Sequence, residues 1–428
     1  MFKGKINVTR LLVQKFGGSS LADTDKIKGV ADIITTAYDA GTQVVAIVSA
    51  MGKTTDGLVA LANELNSSPQ GRDYDMLLAT GEMVSASLLA LHLQSRGYKA
   101  IALTGFQAGV RTEDVYNTAR IKDVETDYLN TLLEAGTIVI VTGFQGENSK
   151  GEICTLGRGG SDTSAVAIAG ALKADACDIY TDVTGVYSTD PRIVPNAIKL
   201  DEIAHIEMME LARLGAKVLH PRSVEAARRW GVKVRVRSTF NLNDEGTLVV
   251  DEAMMSQDST RAVAGVACDK NQARVAVIGL PDKPGIAAHL FKTLAEKSIS
   301  VDMIIQSIGQ DGVTNDIAFT VNTWDLQNAE AVLKPILHDL GAREVLLDDN
   351  VAKVSIVGVG MIDRPGVAAS MFQALAEAEV NIGMIATSEI KISVLVSSSQ
   401  SDKAVQAIHH AFFSDASSEE LVPSKLGY

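Results

Sequence analysis

A lysine followed by two glycines stands near the start of the chain, in the segment 15–20 with the sequence KFGGSS. The apolar residues just before it, Leu11 to Val13, predict a strand that ends at this segment. Because glycine has no Cβ, the backbone N–H groups of Gly17 and Gly18 can approach a phosphate closely, while Lys15 can neutralise its charge. The segment therefore suggests a phosphate site, although such a stretch alone is more often a plain turn between a strand and a helix.

Three later segments also place charged side chains beside glycine or after a strand pattern. Residues 155–163 (TLGRGGSDT) carry Arg158 and Asp162 and lead into a helical pattern, whose N-terminus attracts anions. Residues 180–192 (YTDVTGVYSTDPR) follow a strand pattern, and residues 215–221 (GAKVLHP) offer Lys217, next to His220, which we interpret as structural. The sequence has no GxxxxGK[ST] loop and no protein-kinase motif set, so a phosphoryl transfer would need this other cradle.

The elements that must position these segments follow an alternating pattern from residue 1 to residue 250. Short β-rich runs that end in glycine or small polar residues alternate with amphipathic stretches of helical length, which is typical of an α/β fold with a mostly parallel sheet sandwiched by helices. Ligands of such a sheet bind at the carboxyl ends of its strands. The predicted strands are Leu11–Lys15, Gln43–Ser49, Lys99–Thr104, Ile138–Thr142, Ala176–Thr181 and Lys233–Arg237.

Beyond a polar stretch at 251–262, interpreted as a linker, the chain repeats itself. A D-[KR]-P-G turn and the helical pattern after it occur twice, with Pro284 and Leu294 of the first copy each 81 residues before Pro365 and Leu375 of the second. Each copy, 263–345 and 346–428, predicts a strand, the turn, a helix, two strands and a second helix, in that order. The free N–H groups of a helix that starts at Pro-Gly suit a carboxylate, so the repeats favour a ligand site; a purely structural dimerisation module is the alternative.

The bulk properties limit the classes of function. A chain of 428 residues exceeds one ordinary core and predicts two or three domains. The formal net charge of -13 argues against a general role in binding nucleic acid or anionic membranes. The three cysteines have no paired spacing, no cleavable leader pattern is present, and the apolar runs are shorter than a membrane span, so we expect a cytoplasmic protein.

Taken together and in this order, the motifs resemble those of aspartate kinases, and the tandem module resembles a pair of ACT domains, which implies the element order βαββαβ for each copy. The resemblance covers essentially the whole chain; its motifs are weak singly and specific as a set. It implies the amino-acid kinase fold, with about eight mostly parallel strands between helical layers. The motifs are KFGGSS at 15–20, VSAM at 48–51, GE at 81–82, TLGRGGSDT at 155–163, TDVTGVYSTDPR at 181–192 and GAKVLHP at 215–221.

The resemblance also implies a role for individual residues in moving the γ-phosphoryl group of ATP to the side-chain carboxylate of L-aspartate. Lys15 and Asp162 are implied as the catalytic pair, Arg158 as the clamp for the α-carboxylate and Glu82 as the partner of the α-ammonium. No general base is required, because a carboxylate with a pKa of about 3.9 is already ionised at neutral pH. Further positions that line the acceptor site are Ser49, Thr55, Gly159, Gly160 and Ser161.

ATP and Mg²⁺ are implied as cofactors, with the ion held mainly by the phosphates and water, and no protein ligand for the metal is named. Lys15 is implied on the nucleotide side as well as in the catalytic pair. The other implied nucleotide positions are Phe16, Gly17, Gly18, Thr181, Asp182, Tyr187, Asp190, Arg192 and Lys217.

For the tandem repeats, the resemblance implies feedback by lysine, threonine or both, which are end products of the pathway that this reaction opens, and association into at least a homodimer. Two rival functions stay open: a kinase of the same fold acting on acetylglutamate or glutamate, and a catalytically dead amino-acid sensor. The implied effector positions are Asp282, Gly285, Ala287, Asp302 and Gln306 in the first repeat and Asn381, Ile382, Thr387, Ser388 and Glu389 in the second.

Overall fold

The computed structural model describes residues 10–216, 218–256, 261–308, 313–362 and 364–414. These residues form two compact units that interleave along the chain. Residues 10–186, 199–213 and 218–256 form the first unit, and residues 187–198, 214–216, 261–308, 313–362 and 364–414 form the second. A single boundary at residue 250 therefore cannot separate the two units. The domain limits derived from the sequence stay a prediction.

The first unit contains a large sheet, a small sheet and helices on both faces of the large one. Its helices are α1 (Thr24–Asp39), α2 (Thr54–Leu65), α3 (Arg72–Ser95), α4 (Asp127–Glu134), α5 (Gly160–Ala171), α6 (His205–Arg213) and α7 (Pro221–Trp230). Its strands are β1 (Leu11–Phe16), β2 (Gln43–Val48), β3 (Ala100–Leu103), β4 (Val110–Thr112), β5 (Ile121–Val124), β6 (Ile138–Thr142), β7 (Gln145–Glu147), β8 (Ile153–Thr155), β9 (Ala176–Thr181), β10 (Glu202–Ala204), β11 (Val234–Ser238) and β12 (Thr247–Val250).

The large sheet has eight strands in the order β10-β12-β11-β9-β1-β2-β6-β3. All neighbours pair in parallel except β11 and β12, which run antiparallel. The mostly parallel sheet between helical layers is thereby confirmed, and all six predicted strands are present. They are six neighbouring strands from β11 to the edge strand β3. Four of them, β9, β1, β2 and β6, have the near-continuous buried runs that are typical of a sheet covered on both faces.

Helices α1 and α3 cover one face of this sheet, and α5 and α7 cover the other. On the first face, Val30 of α1 and Leu89 of α3 belong to one buried cluster with Val44 and Ile140 from the strands. On the second face, residues of α5 and α7 line a small apolar gap together with β9, β11 and β12. The central strands are therefore fixed from both sides, and their carboxyl ends form a rigid edge.

The helix α3 is the longest helix of the first unit and carries polar residues into its core. Among the described helices it alone is long and apolar enough to cross a membrane, with a window of mean hydropathy 1.5, but half of that window is buried inside the unit. Its buried side includes two carboxylates, Asp75 and Glu82. The helix therefore behaves as a core element that brings acidic groups toward the sheet.

The small sheet of the first unit has the order β5-β4-β7-β8. Its strands are only three or four residues long, and β8 ends at Thr155, directly before the loop that contains Arg158. This sheet was not predicted, since strands this short carry too few residues for a periodic pattern.

The second unit consists of the tandem repeats together with residues 187–198 and 214–216. Its helices are α8 (Ile286–Glu296), α9 (Leu326–Leu333), α10 (Leu337–Leu340), α11 (Val367–Glu377) and α12 (Ser401–Phe413), and its strands are β13 (Gly265–Pro281), β14 (Val301–Ile308), β15 (Thr314–Val321), β16 (Glu344–Val357), β17 (Met384–Ser388) and β18 (Lys391–Ser397). They form one sheet in the order β14-β15-β13-β16-β18-β17.

The internal duplication is visible in the backbone. Helices α8 and α11 begin and end at positions separated by the same 81 residues as the sequence motifs. The glycines before them, Gly285 and Gly366, have φ values of 98° and 100°, a left-handed conformation that glycine adopts without strain. The order strand, helix, strand, strand, helix is confirmed for both repeats, with the second helical segment of the first repeat divided into α9 and α10. The sixth element of the order βαββαβ is seen in the first repeat, where β16 follows α10; in the second repeat the positions after residue 414 lie outside the described residues.

One strand of the first repeat also contributes a segment to the second repeat. Residues 273–281 of β13 pack in the core of the first repeat, whereas Val266 of the same strand packs with Val354 and Ile356 in the core of the second. Gly265 to Asp269 accordingly pair with Lys353 to Val357. The sheet of the second repeat is thus completed by Gly265 to Asp269, at the start of β13. A boundary at one residue between the repeats does not describe this arrangement.

Candidate active site

The carboxyl ends of four adjacent strands meet at one edge of the large sheet. Lys15 and Phe16, at the end of β1, lie beside Ile47 and Val48 of β2, and Phe16 also pairs with Tyr180 of β9. Backbone hydrogen bonds continue past the strand ends, from Gly17 N to Tyr180 O (3.3 Å), from Ser49 N to Phe16 O (3.1 Å) and from Gly143 N to Val48 O (3.0 Å). The segment 15–20 therefore lies at this edge beside the ends of β2 and β9.

The side chain of Lys15 forms an ion pair with Asp162 at this edge. Its Nζ lies 2.6 Å from Asp162 Oδ1, and the two side chains are only 12% and 13% exposed. Asp162 lies in the first turn of α5, so the lysine also faces the N-terminus of a helix. The Oδ1 atom is buried and accepts no aligned hydrogen bond from the described residues. The ion pair holds the Lys15 ammonium on one side, and its remaining protons can face an anion.

Gly18 is required at its position by close packing of two loops. A Cβ on Gly18 would lie 2.9 Å from the carbonyl oxygen of Ala50 and 3.0 Å from that of Gly52, and Gly52 N donates to Gly18 O. Gly17 has extended backbone, and a Cβ built on it would be 3.6 Å from Lys15 Nζ. The backbone of Gly17 is thus beside the lysine amine, where it can face the same ligand.

Phe16 contributes differently from its glycine neighbours. Its ring is fully buried and stacks on Tyr180, with centroids 4.9 Å apart. Only the backbone of Phe16 can therefore face a ligand, while its side chain belongs to the core below the site.

Glu82 of α3 is a buried carboxyl group with one oxygen unused. Its Oε1 accepts a hydrogen bond from the backbone N–H of Ala50 (3.1 Å), whereas Oε2 has no partner in the part of the chain that the structure describes. Burial raises the pKa of Glu82 to about 7, against a weaker lowering by its backbone hydrogen bonds. A buried, incompletely satisfied carboxyl group at the rim of a phosphate site is suited to receive an ammonium group.

Hydroxyl residues lie around Glu82 at the end of β2. Ser85 Oγ donates to the carbonyl oxygen of Ser49 (2.7 Å), which places Ser49 against α3. Thr55 in the first turn of α2 lies next to Gly81, since its Oγ1 would be 3.8 Å from a Cβ on that glycine. Ser49 and Thr55 are thus brought together with Glu82, as the sequence predicted for one acceptor site.

The glycine-rich loop before α5 carries Arg158. Gly157 and Gly159 on either side of it have φ values of 74° and 71°, and the arginine side chain is exposed, without an ion pair to any described residue. Gly160 begins α5, and Ser161 lies against Gly143 at the end of β6, because a Cβ on that glycine would be 2.7 Å from the serine Cβ. The loop thus reaches the same edge with an uncommitted guanidinium.

His220 supports this loop, in agreement with its interpretation as structural. A Cβ on Gly159 would lie 2.3 Å from the Cβ and Cγ of His220, and His220 Nδ1 accepts a hydrogen bond from Arg222 N (3.3 Å). Burial lowers the pKa of His220, with a further lowering by Arg222. The neutral ring packs directly on the glycine loop.

The residues predicted on the nucleotide side are only partly placed in the first unit. Thr181 ends β9; its hydroxyl donates to Asp182 Oδ1 (3.1 Å), and its carbonyl accepts from Thr239 N (2.9 Å). Tyr187, Asp190 and Arg192 belong to the second unit, where Arg192 binds Asp190 through its guanidinium and its backbone N–H. Lys217 lies outside the described residues.

The segment 187–198 is firmly attached within the second unit. Ser188 Oγ bonds to His409 Nε2 of α12 (2.8 Å) and accepts from Ile198 N (2.9 Å). Val266 N donates to Ser188 O (2.7 Å), and Val194 is buried in the core of the second repeat. No local sequence pattern signals this attachment, because its partners are more than 70 residues away in the chain.

The predicted effector positions are mostly exposed and lie at the two edges of the second sheet. Asp302 and Gln306 are on β14, and Thr387 and Ser388 are on β17. Asp302 forms an ion pair with the buried Lys353, which the sequence reading missed. Asp282 accepts from Asn315 Nδ2 (3.0 Å). Gly285 and Ala287 lie at the start of α8, Asn381 and Ile382 precede β17, and Glu389 follows it.

One polar residue of the first unit was missed entirely from the sequence. Asp75, in the first turn of α3, is completely buried and accepts hydrogen bonds from Asn117 and Thr155. The available signal was its position on α3, two helical turns before Glu82, which places both carboxylates on the buried side of the same helix.

Comparison with known proteins agrees with the two-part organisation. The model of the amino acid kinase family matches residues 10–238, and a model of the ACT domain matches residues 275–335 and 354–412. A lysine and glycine loops at the carboxyl edge of a parallel sheet, followed by tandem small-molecule-binding modules, thus define a regulated small-molecule kinase of the amino acid kinase fold.

More specific relatives share most of the chain. An aspartokinase of Bacillus sp. (strain MGA3) is 50% identical over 402 residues, which is 94% of this chain and 97% of the relative. The chain belongs to the aspartokinase family. The crystal structure of E. coli aspartokinase III in complex with aspartate and ADP has a TM-score of 0.77 at 30% identity, covering 94% of this chain and 100% of that chain. The complex of that enzyme with lysine and aspartate has a TM-score of 0.72 at 29% identity, covering 94% and 99%.

Proposed function

We propose that this chain transfers the γ-phosphoryl group of ATP to the β-carboxylate of L-aspartate, giving 4-phospho-L-aspartate and ADP, the first step toward lysine, threonine and methionine. The observation that carries the proposal is the placement of two groups at the ends of adjacent strands. The Lys15–Asp162 ion pair lies at the end of β1, and the half-satisfied carboxyl group of Glu82 on α3 is bound to Ala50 N just after β2. One suits a phosphoryl group, and the other suits the ammonium of an amino acid.

Transfer depends on positioning and charge rather than on a proton relay. Phosphoryl transfer develops charge on the phosphoryl oxygens, which fixed donors stabilise without reorganisation. Lys15 supplies a positive charge, Asp162 holds it in place, and the N–H groups of Gly17 and Gly18 add neutral donors. The attacking carboxylate is already ionised, so no base is needed.

The acceptor is held through its α-substituents. Glu82 receives the α-ammonium, and the exposed guanidinium of Arg158 binds the α-carboxylate in a bidentate manner. The hydroxyls of Ser49, Thr55 and Ser161 and the backbone of Gly159 and Gly160 line the space between them. Since both α-groups are recognised, a free α-amino acid is favoured over acetylglutamate, whose nitrogen carries no charge.

ATP is the phosphoryl donor, and Mg²⁺ accompanies its phosphates. Such an ion would be held mainly by the phosphates and water. Asp162, which contacts Lys15, is the carboxylate at this site that would help to hold it, and the ion would supply positive charge to the phosphates. Thr181 and Asp182 are proposed on the nucleotide side, with Tyr187, Asp190, Arg192 and Lys217.

The tandem repeats are proposed to bind lysine, threonine or both as feedback effectors. The exposed carboxylates of Asp282, Asp302 and Glu389 suit an ammonium group. Support for communication comes from residues 187–198, which continue the loop after β9 but are attached to α12 and β13. A shift in the position of the second repeat then acts on the chain that follows Thr181 and Asp182. The coupling required is about 1 to 3 kcal/mol.

The protein is further proposed to act in the cytoplasm as at least a homodimer. Asp302, Gln306, Thr387 and Ser388 lie on edge strands of the second sheet, with much of their surface exposed. A second copy would complete an effector site built from these edges.

The assay that tests the proposal traps the acyl phosphate with hydroxylamine. ATP-dependent hydroxamate formation is measured with L-aspartate, acetylglutamate and glutamate. We expect turnover on L-aspartate and its loss in Lys15→Ala, while Lys28→Ala, which removes an exposed lysine on α1, is a matched control with full activity. Turnover on another acid alone would identify the rival kinase, and turnover on none would leave the amino-acid sensor.

Feedback is tested in the same assay with saturating lysine plus threonine. We expect inhibition that weakens in Glu389→Ala. Equal rates with and without the effectors, together with no effect of Glu389→Ala, would remove the regulatory part of the proposal and leave the catalytic part intact.

A further inference from the structure

Asp75 is a buried carboxylate that is satisfied entirely by neutral donors. Its oxygens accept from Asn117 N (2.9 and 3.1 Å), Asn117 Nδ2 (2.5 Å), Thr155 N (2.8 Å) and Thr155 Oγ1 (2.6 Å). No cation pairs with it within the described ranges, whereas the equally buried Asp178 is bound by the guanidinium of Arg235. A buried charge without an ion pair is costly unless its hydrogen bonds are complete, so its retention calls for a specific reason.

The partners of Asp75 lead directly to the loop that carries Arg158. Thr155 is the last residue of β8 and stands three residues before Arg158. Asn117 has a left-handed backbone with φ of 68°. Its carbonyl oxygen would be 3.1 Å from a Cβ on Gly157, so Asn117 also packs against the loop at Gly157. Asn117 Oδ1 in turn accepts from Gly71 N just before α3. The start of α3 and the start of the loop are thus joined through one carboxylate.

The same helix binds the other half of the acceptor site two turns later. Glu82 accepts from Ala50 N, and Ser85 donates to the carbonyl oxygen of Ser49. Seven residues separate Asp75 from Glu82, or about 10 Å along the axis. A rigid helix therefore sets the distance between the strand end at Ser49 and Ala50 and the loop at Thr155 to Gly157.

We infer that Asp75 is a positioning residue that holds the loop of Arg158 at a fixed distance from Glu82 and thereby sets recognition of the α-amino acid acceptor. The inference rests on the proposed function, in which these two residues bind the α-carboxylate and the α-ammonium. Two acceptor oxygens are needed, because four donors from two segments converge on them. An asparagine at position 75 would turn an NH₂ group toward one set of donors and release one side of the loop.

The experiment compares Asp75→Asn with wild type by steady-state kinetics on the full chain. We expect the KM for L-aspartate to rise roughly tenfold and the KM for ATP to stay within about twofold. A general loss of folding would instead reduce the active fraction and leave both KM values unchanged in the remaining enzyme. Unchanged KM values in a variant that keeps the wild-type active fraction would overturn the inference.

Thr155 offers a milder variant in case Asp75→Asn does not fold. Thr155→Val removes the hydroxyl donor at nearly constant shape, whereas Thr155→Ser keeps it. We expect Thr155→Val to raise the KM for L-aspartate and Thr155→Ser to restore it. Equal KM values for these two variants would count against the inference.

A double mutant shows whether the effect passes through Arg158. Once Arg158→Ala has removed the guanidinium, Asp75→Asn should add little to the KM for L-aspartate, since there is nothing left to position. Full additivity would show that Asp75 acts elsewhere. If wild type itself gives no aspartate-dependent turnover, the proposed function fails; if wild type is active and the variants behave additively, only the inference about Asp75 fails.

Discussion

The carboxyl group of Glu82 accepts a hydrogen bond from the backbone N–H of Ala50 at 3.1 Å, which joins the middle of α3 to the chain just after β2. The second carboxyl oxygen is buried without a partner among the described residues. The contact satisfies only half of the group, and burial accordingly raises its pKa to about 7. Stability of the first unit and affinity for an ammonium ligand therefore oppose each other at this residue.

The first prediction concerns stability. A raised carboxyl pKa means that the folded state favours the neutral form of Glu82. The contribution of this preference to the stability of the folded state is therefore fully present below the unfolded pKa of about 4.5, and it is lost as the pH rises through the folded pKa of about 7. We expect Glu82→Gln to be up to about 3 kcal/mol more stable than wild type at pH 8 and only up to about 1 kcal/mol more stable at pH 5. Urea denaturation in a Trp324→Phe background, with Trp230 of α7 as the remaining tryptophan, measures this difference.

The matched control for that measurement is Glu64→Gln, which neutralises an exposed glutamate on α2. Its effect should be small at both pH values. A difference between Glu82→Gln and wild type that is the same at pH 5 and pH 8 would contradict the assigned shift in pKa.

The second prediction concerns the pH dependence of acceptor binding. An ammonium group pairs with Glu82 only when the carboxyl group is ionised. With a pKa of about 7, the ionised fraction rises roughly tenfold between pH 6 and pH 8. We therefore expect the KM for L-aspartate to fall by about that factor over this range, while the KM for ATP shows no matching step. In Glu82→Gln the KM for L-aspartate should be high and flat with pH; a wild-type profile without a step near pH 7 would contradict the role of Glu82.

The third prediction concerns the contact of Gly18 with the loop after β2. A methyl group there meets two backbone carbonyl oxygens at 2.9 and 3.0 Å, and backbone cannot move aside as a side chain can. Gly18→Ala should therefore displace the loop that contains Gly17 and Gly18 and lower kcat/KM for ATP on the order of 10²-fold. Gly29→Ala in α1 is the control, because a Cβ there meets nothing within 4 Å and alanine favours a helix by up to about 1 kcal/mol. Equal activity of the two variants would show that the loop tolerates the shift.

The regular parts of the fold were predictable from the sequence. Four of the six predicted strands, β1, β2, β6 and β9, have near-continuous buried runs, and the observed ends of all six differ from the predicted ones by about one residue, within the usual uncertainty of such boundaries. The repeats were predictable because Pro284 and Pro365 keep one register, which the helices α8 and α11 follow. By contrast, β10 and β12 have three and four residues, too few for a periodic pattern to emerge.

The site was predictable where chemistry shows in the residue type and not where it depends on distant partners. A lysine before two glycines makes Lys15 a candidate without a structure, and its role in the site stays a prediction. The ion pair of Lys353 with Asp302 and the carboxylate bonds of Asp75 to Thr155 join residues far apart in the chain, and nothing local distinguishes these residues from ordinary surface charges. The attachment of Ser188 to His409 was hidden for the same reason.

The last prediction concerns that attachment. Burial lowers the pKa of His409, with a smaller lowering by the neighbouring His410. A depressed histidine pKa means that the fold favours the neutral ring, so the stabilisation is present above the ordinary value of 6.5 and is lost as the pH falls below it. Protonation would place a charge in the buried contact with Ser188 and weaken the hold on residues 187–198.

We therefore expect peptides that cover residues 187–198 to exchange their amide hydrogens faster at pH 5.5 than at pH 7.5, after correction for the intrinsic pH dependence of exchange. The amide of Ile198 is the sharpest probe, since it donates to Ser188 Oγ at 2.9 Å. His409→Gln cannot be protonated and should show little change between the two pH values, whereas His338→Gln, which alters a fully exposed histidine, should behave as wild type. If His409→Gln keeps the wild-type pH dependence, another group must control this segment, because the only protonation removed in that variant is that of His409.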